Sequence, residues 1–356
     1  MAPYWLLFAL WAAGAIQFAR REGGRFERPL YFTLGLLTAL MIGLRFEVGG
    51  DWQPYLDIYQ SIYFEPLGEA LKLTDPGYAL LNWLAAKADW GVWFANLGAG
   101  VLFMTGLARL ARRQPNAWLA MLVAVPYLIV VVAMGYTRQA AAIGLICWAL
   151  ADASERKIGR LVLLVGMATL FHKTAILFLP ILLVPVVTRN FLVGVLGVIA
   201  FAVLFSVFLG QSSDMLITNY VSSTYDSQGA AIRIAMNVLA GMLLLLFRSR
   251  MGFSNFLRSF WTICAILSLL SPIGLFAFSA SSGVDRLSLF LIPLQIVTFS
   301  RLPYALSATS RPVLSLLLSA MGYSFAVQFV WLNYADNASL WIPYSTIFSA
   351  DANDPH

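Results

Sequence analysis

Residues 158–187 read IGRLVLLVGMATLFHKTAILFLPILLVPVV, an apolar run broken near its middle by Phe171-His172-Lys173-Thr174. One histidine and one lysine stand where a membrane helix carries leucine. The stretch from Arg160 to Phe171 holds 12 residues, about 18 Å of helix at 1.5 Å per residue. A hydrocarbon core of about 30 Å takes nearer 20 residues. The run is therefore either two short helices meeting inside the membrane or one long span interrupted near its centre. Either way His172 lies below the lipid headgroups, facing protein or a water-filled cavity, where an ionisable group is costly and usually functional. The only other histidine is His356, so any imidazole chemistry falls to His172.

The rest of the chain agrees with a membrane setting. Sixty per cent of its 356 residues are hydrophobic and 11 per cent charged, and the mean hydropathy is +0.78, the composition of a polytopic membrane protein. The expectation is an all-α integral membrane protein of about 12 transmembrane helices forming one domain over 1–356, with no room for a soluble domain. A net charge of +6 raises nucleic acid as a partner, but no Lys/Arg run carries interleaved stacking aromatics, and nucleic acid is set aside. Cys147 and Cys264 lie inside apolar runs and read as small core residues. No spacing suits a disulfide or a metal. The N-terminus lacks a basic leader, so Tyr4–Phe18 reads as a retained span.

In order, the expected spans are Tyr4–Ala19, Leu30–Leu44, Trp90–Ala108, Ala117–Met134, Tyr136–Ala151, two within Ile158–Val187, Phe191–Leu209, Ala231–Phe247, Arg258–Leu270, Arg286–Ser300 and Arg311–Trp331. Of the 23 Lys/Arg, all but Arg45, Lys72, Lys87, Arg138, Lys173, Arg233 and Arg286 fall in the loops after the odd-numbered spans. Those loops face the cytoplasm by the positive-inside rule, which turns both termini outward. Acidic residues take the other side, apart from Glu22, Glu27, Asp152 and Glu155. The outward side then owns the long segments 45–89, 211–232 and 271–285 and the tail 332–356, with Pro76–Lys87 read as an interfacial or re-entrant helix. An aqueous chamber belongs on that face.

Candidate chemistry clusters there. Arg138 follows Tyr136-Thr137 with almost no loop, so its guanidinium enters the outer third of the membrane. It is either an anion site, for which the planar fork of arginine suits a phosphate, or a snorkelling or ion-paired structural residue. Gln139 starts the same helix. Arg286 heads a later span and either meets the same anion or pairs with adjacent Asp285. Arg233 heads another and either joins them or touches headgroups. In Arg45-Phe46-Glu47-Val48-Gly49-Gly50-Asp51-Trp52-Gln53-Pro54-Tyr55, Asp51 either caps a helix begun near Pro54 or points its carboxylate into the chamber. Trp52, Tyr55, Tyr59 and Tyr63 recur at three- and four-residue spacing, a single helical stripe. That stripe is an interfacial aromatic belt or a platform for sugar rings. His172 is either a proton-transfer group or a hydrogen-bonded histidine stabilising the break.

Arg45 to Asp51 with Tyr55, Tyr136-Thr137-Arg138-Gln139, Phe171-His172-Lys173-Thr174-Ala175, Asp285-Arg286 and Trp341-Ile342-Pro343-Tyr344 together resemble the EpsG group of Wzy-like polysaccharide polymerases. Their order and membrane side cover most of the chain. The resemblance implies an enzyme of the bacterial cytoplasmic membrane whose active side faces outward. Its donor and acceptor are polyprenyl-pyrophosphate-linked oligosaccharides, and it works beside other polysaccharide assembly proteins. It moves the growing glycan from its lipid carrier onto the sugar end of a new lipid-linked unit. A glycosyl pyrophosphate already carries its leaving group, so no nucleotide, metal or other cofactor is expected. On this reading Arg138 and Arg286, with Arg233 third, hold the pyrophosphate; His172, then Asp51, is the base; and Arg45, Trp52, Tyr55, Gln139, Asp285 and Tyr344 line the sugar site. Two rivals remain: an O-antigen ligase-like transferase using the same donor, and a transporter of lipid-linked glycan. Chain growth without a membrane gradient separates enzyme from transporter.

Overall fold

A computed structural model describes residues 1–19, 25–153, 158–187, 191–208, 229–277, 281–309 and 311–349. Expected features outside this set are residues 211–228 and 278–280 of two outward segments, the loop residues Arg20, Arg21, Glu155, Arg156, Lys157 and Arg189, and the tail beyond 349. The protein is all helical, and among the described residues the sole non-helical pairing is one antiparallel bridge between Arg45 and Thr346.

The helices lie on the apolar runs, because each backbone donor and acceptor must be satisfied within its own segment where no water reaches. They are α1 (Ala2–Gln17), α2 (Glu27–Gly43), α3 (Trp52–Tyr63), α4 (Leu67–Leu73), α5 (Pro76–Lys87) and α6 (Val92–Ala111). Next come α7 (Ala117–Ala124), α8 (Thr137–Ala151), α9 (Ile158–Phe171), α10 (Phe178–Val187) and α11 (Phe191–Phe208). The last are α12 (Ala230–Phe247), α13 (Asn255–Ala277), α14 (Ser281–Ser288), α15 (Pro293–Ala305) and α16 (Leu314–Tyr334). Among the described residues, five stretches are long and apolar enough to cross a membrane: Val92–Ala111, Ala230–Phe247, Asn255–Gly274, Val284–Ala305 and Leu314–Tyr334. Shorter apolar helices, Ala117–Ala133, Thr137–Ala151, Ile158–Phe171 and Lys173–Pro185, accompany them. Val284–Ala305 is 89% buried and Leu314–Tyr334 only 28%, so the former is a central post and the latter a peripheral one.

Polarity is reversed relative to a water-soluble fold. Leu36, Leu163, Leu246, Ile273 and Leu314 are exposed, whereas Asn96, Asn237, Gln295 and Gln328 are buried. The buried amides are tied together. Asn237 donates to the Ser288 carbonyl at 2.9 Å, Gln295 to Asn237 Oδ1 at 2.7 Å, and the Tyr323 hydroxyl to Gln295 Oε1 at 2.9 Å, linking α12, α15 and α16. Inside hydrocarbon such polar contacts act as glue between helices.

Two glycines bring α6 and α8 into backbone contact. A Cβ on Gly106 would sit 1.7 Å from the Gly144 carbonyl oxygen, and one on Gly144 2.3 Å from the Phe103 Cα. Neither obstacle is a flexible side chain, so a larger residue must separate the helices. Overpacking of this kind costs about 1–3 kcal/mol or more. Gly106→Val is expected to lower the detergent unfolding temperature by several degrees, read by fluorescence-detected thermal unfolding. Gly166→Ala, with open space around its Cβ position, should leave it unchanged.

Three local features then set the site. First, α7 continues as a nine-residue π-helix, Val125–Ala133, opened by Pro126 and wholly buried. The indole of Trp341 donates to the Val130 carbonyl at 2.8 Å, satisfying one of its backbone acceptors; π segments recur at functional sites. Second, α9 stops at His172, which is extended (φ −153°, ψ 112°) and leads into a 3₁₀ turn, Lys173–Leu177, before α10. Third, the tail folds back onto the end of α2. Phe46 N–H donates to Ser345 O at 3.1 Å, Gly49 N–H to Leu340 O at 2.9 Å and Ile347 N–H to Leu44 O at 3.0 Å.

Candidate functional site

Asp51 and Asp75 both occupy helix N-cap positions, at α3 and α5, and neither side chain makes a capping hydrogen bond. The Asp75 carboxylate is committed elsewhere. Asp75 Oδ2 accepts from Arg138 Nη1 at 2.9 Å, and the same nitrogen reaches Thr74 Oγ1 at 3.1 Å. The Lys173 backbone N–H also donates to Asp75. One carboxylate therefore joins the head of α8 to the break after α9. Burial raises the pKa of Asp75, and Arg138 and Lys173 oppose that rise. The Arg138 guanidinium lies 5.9 Å from the ring centre of Tyr55. The Tyr55 side chain also hydrogen-bonds to this guanidinium, whose Nε–H is buried.

Arg286 lies in the last turn of α14 and is exposed. Its backbone carbonyl accepts from Gln139 Nε2 at 2.6 Å, which pins α14 against the first turn of α8. Asp285 does not pair with its neighbour Arg286. It forms a bidentate ion pair with Arg233 of α12, beside the ring of Tyr127 at 6.0 Å in the π-helix. Successive residues of α14 point in different directions, so the nearest cation in sequence is not the nearest in space. Arg233 is thereby placed as a tie between α12 and α14.

His172 is partly buried. Its Nδ1 is 2.8 Å from Thr174 Oγ1, and its ring meets Phe290 edge-on at 6.0 Å. Arg138 and Arg286 are both electrostatic neighbours of His172, and the same two arginines, with Arg45, act on Asp51. Tyr136 shares this field, with Asp51, Arg233, Asp285 and Arg286 around it. Asp51 and His172, from distant parts of the chain, thus both lie within electrostatic reach of Arg138 and Arg286.

The remaining expected residues divide. Tyr55 is buried beside Arg138 and packs edge-on against Tyr78 at 5.3 Å. Trp52 is half-buried, 5.7 Å from Phe46. Arg45 is 0% exposed, and its guanidinium donates to Ile42 O at 2.6 Å, Val48 O at 3.0 Å and Thr137 Oγ1 at 2.7 Å. Tyr344 donates to Met41 O at 2.8 Å and packs on Tyr4. Both turn into the scaffold, fixing the tail and the start of α8. Sequence reasoning passed over Asp75 and Tyr127, and quoted Thr174 and Tyr136 in motifs without giving either a role. Asp75-Pro76 carries a helix-start signal, but nothing in it points to an arginine 63 positions away. Among the described residues no group of three or more His, Cys, Asp or Glu could hold a metal ion.

The model of the EpsG family matches residues 29–346, most of the chain. This chain belongs to the EpsG family. No curated protein and no solved structure matches it. EpsG-family membership makes it a polymerase-like membrane protein of polysaccharide biosynthesis. The matched region begins in α2 and ends in the tail strip that pairs with Arg45, so all four residues of the cluster fall inside the EpsG match.

Proposed function

We propose that this protein is a glycosyltransferase-type polymerase that joins polyprenyl-pyrophosphate-linked oligosaccharide units at the outer face of a bacterial cytoplasmic membrane. Twelve spans with both termini outward complete the reading. What supports it most is the convergence of Arg138 and Arg286 on Asp51 and His172.

Arg138 and the exposed Arg286 take the diphosphate oxygens. Fixed donors stabilise the charge that grows there as the sugar leaves. In the transfer the acceptor hydroxyl gives its proton to His172 through Nε2, since Nδ1 faces Thr174. Its oxygen bonds to the anomeric carbon, and the bond from that carbon to the diphosphate oxygen breaks. The carrier departs as the polyprenyl diphosphate.

Purified protein in detergent, given its lipid-linked oligosaccharide, should lengthen chains with no gradient present. Transfer to another class of acceptor instead would support a ligase, and no transfer at all would sink the enzymatic reading.

Asp51 is assigned to work ionised, gripping sugar hydroxyls or acting as the second-choice base. Burial raises its pKa, against the opposing pull of Arg286, Arg138 and Arg45. A raised value means that the charge is lost at a higher pH than for a free carboxylate near 3.9. The acid limb of the rate profile is expected above that range, and Asp51→Asn should remove the limb and lower the plateau. A limb unchanged in the variant would assign the titration to another group.

A further inference from the structure

Beyond the cluster, α3 leads to a second site. Asp51 stands at its head and Tyr63 is its last residue, about 18 Å further on at 1.5 Å per residue. There the end of α3 and the turn before α6 enclose an open cleft of about 480 Å³, within the range of small-ligand sites. It is lined by the aromatic residues Tyr59, Tyr63, Phe64, Trp90 and Trp93, together with Asp89 and Gln60.

The turn is built to hold this shape. Asp89 takes φ +54° and Gly91 φ +74°, both in the left-handed region. A Cβ at Gly91 would lie 2.7 Å from the Trp93 indole, so only glycine lets that ring stand where it does. The Tyr59 hydroxyl accepts from the Gly91 backbone N–H, and the Tyr63 hydroxyl donates to Asp89 Oδ1 at 3.0 Å. Trp90 is 56% exposed.

We propose that this cleft is a glycan subsite, holding pyranose units of the chain one helix length away from the transfer centre. Aromatic faces receive the C–H faces of sugar rings, and the carboxylate and amide receive their hydroxyls, the mixture of apolar walls and few polar groups that orients a ligand. A lipid-facing belt needs only rings with polar tips at the headgroup level. Here a carboxylate forms part of the wall, which anionic lipid phosphate would repel and sugar hydroxyls would not. The subsite rests on the polymerase reading for its purpose, because a grip on the chain beyond the centre keeps product bound between transfers and sets its length.

The test uses the full chain in phosphatidylethanolamine–phosphatidylglycerol nanodiscs. The probe is the soluble oligosaccharide released by mild acid from the lipid-linked units of the expressing cells. Two readouts are taken: saturation transfer from protein to sugar protons, and the length distribution of polymer made from the intact lipid-linked units. Trp90→Ala and Asp89→Asn should each weaken oligosaccharide binding by roughly two- to tenfold, the worth of one aromatic or polar contact, and shorten the polymer several-fold. Should Trp90→Ala fail to fold, Tyr63→Phe, which removes one hydroxyl, reports in its place with a smaller shift in the same direction. Wild-type affinity and chain length in these variants overturn the subsite and leave the polymerase reading standing. So does a lower yield in membranes with unchanged affinity per molecule, the signature of a belt, and so does a wild-type protein that transfers no saturation to the sugar. Oligosaccharide bound through the cleft by a protein that makes no polymer supports the subsite and removes the polymerase reading.

Discussion

Replacing Arg138 by alanine is expected to lower glycan transfer by about 10²–10³-fold, the usual cost of removing one preorganised donor from developing charge. Membranes should then accumulate single lipid-linked units in place of polymer. The interpretation requires that the protein still folds, and Asp75 makes that a real condition. Its side chain is 8% exposed and that of Arg138 33%, so deleting the arginine strands a buried carboxylate. For a fully buried pair that costs 3–5 kcal/mol; partial exposure here reduces it to about 1–3 kcal/mol. The double variant Asp75→Asn/Arg138→Gln replaces the ion pair by a neutral amide contact and removes the stranded charge. It should recover wild-type thermal stability and remain inactive. Arg138→Lys keeps the charge without the fork and should fall between. Polymer of normal length from Arg138→Ala at wild-type abundance would overturn the assignment.

His172→Ala is expected to cost about 10²–10⁴-fold, the range of a positioned general base, with substrate affinity little changed. Thr174 supplies a second, graded test. Its hydroxyl meets Nδ1 at 2.8 Å, so Thr174→Val removes the group that sets ring orientation and tautomer without touching Nε2. A smaller loss, together with a displaced pH profile, is expected from the valine variant, whereas a histidine that merely stabilises the break would give unfolding and no change of profile. Single-turnover transfer from labelled donor measures both. If His172→Ala turns over at the wild-type rate, the base lies elsewhere, and Asp51 is the next group to replace.

The broad frame was legible in the sequence for one physical reason: hydrocarbon admits only self-satisfied helices, so apolar runs announce where helices lie. The same logic exposed the break at His172, where a histidine and a lysine interrupt a run whose other charge is Arg160 near its start. Cationic side chains at the heads of α8 and α12 and in the last turn of α14 were visible as candidates because each is expensive near lipid. Their partners were not visible. Asp285 reads as the mate of adjacent Arg286 and instead binds Arg233, 52 positions earlier. Arg138 meets Asp75 across 63 positions. Pairings of that kind depend on helix rotation and packing, which no local spacing encodes. Arg45 misled for a related reason. It ends α2 at a point that looks like an open mouth, but the returning tail and Thr137 enclose it. The π-helix at Val125–Ala133 left no pattern either, since every residue in it is apolar and buried, and periodicity needs a polar face to be seen.

The returning tail has one further result, in the order of events at the ribosome. Leu340, Ser345 and Thr346 lie hundreds of positions further along the chain than the strip 44–49 that they hold and that runs into Asp51. Contacts so distant along the chain form late. A polypeptide halted after α15 would therefore carry Arg138, His172 and Arg286 in the bilayer with Asp51 still unplaced.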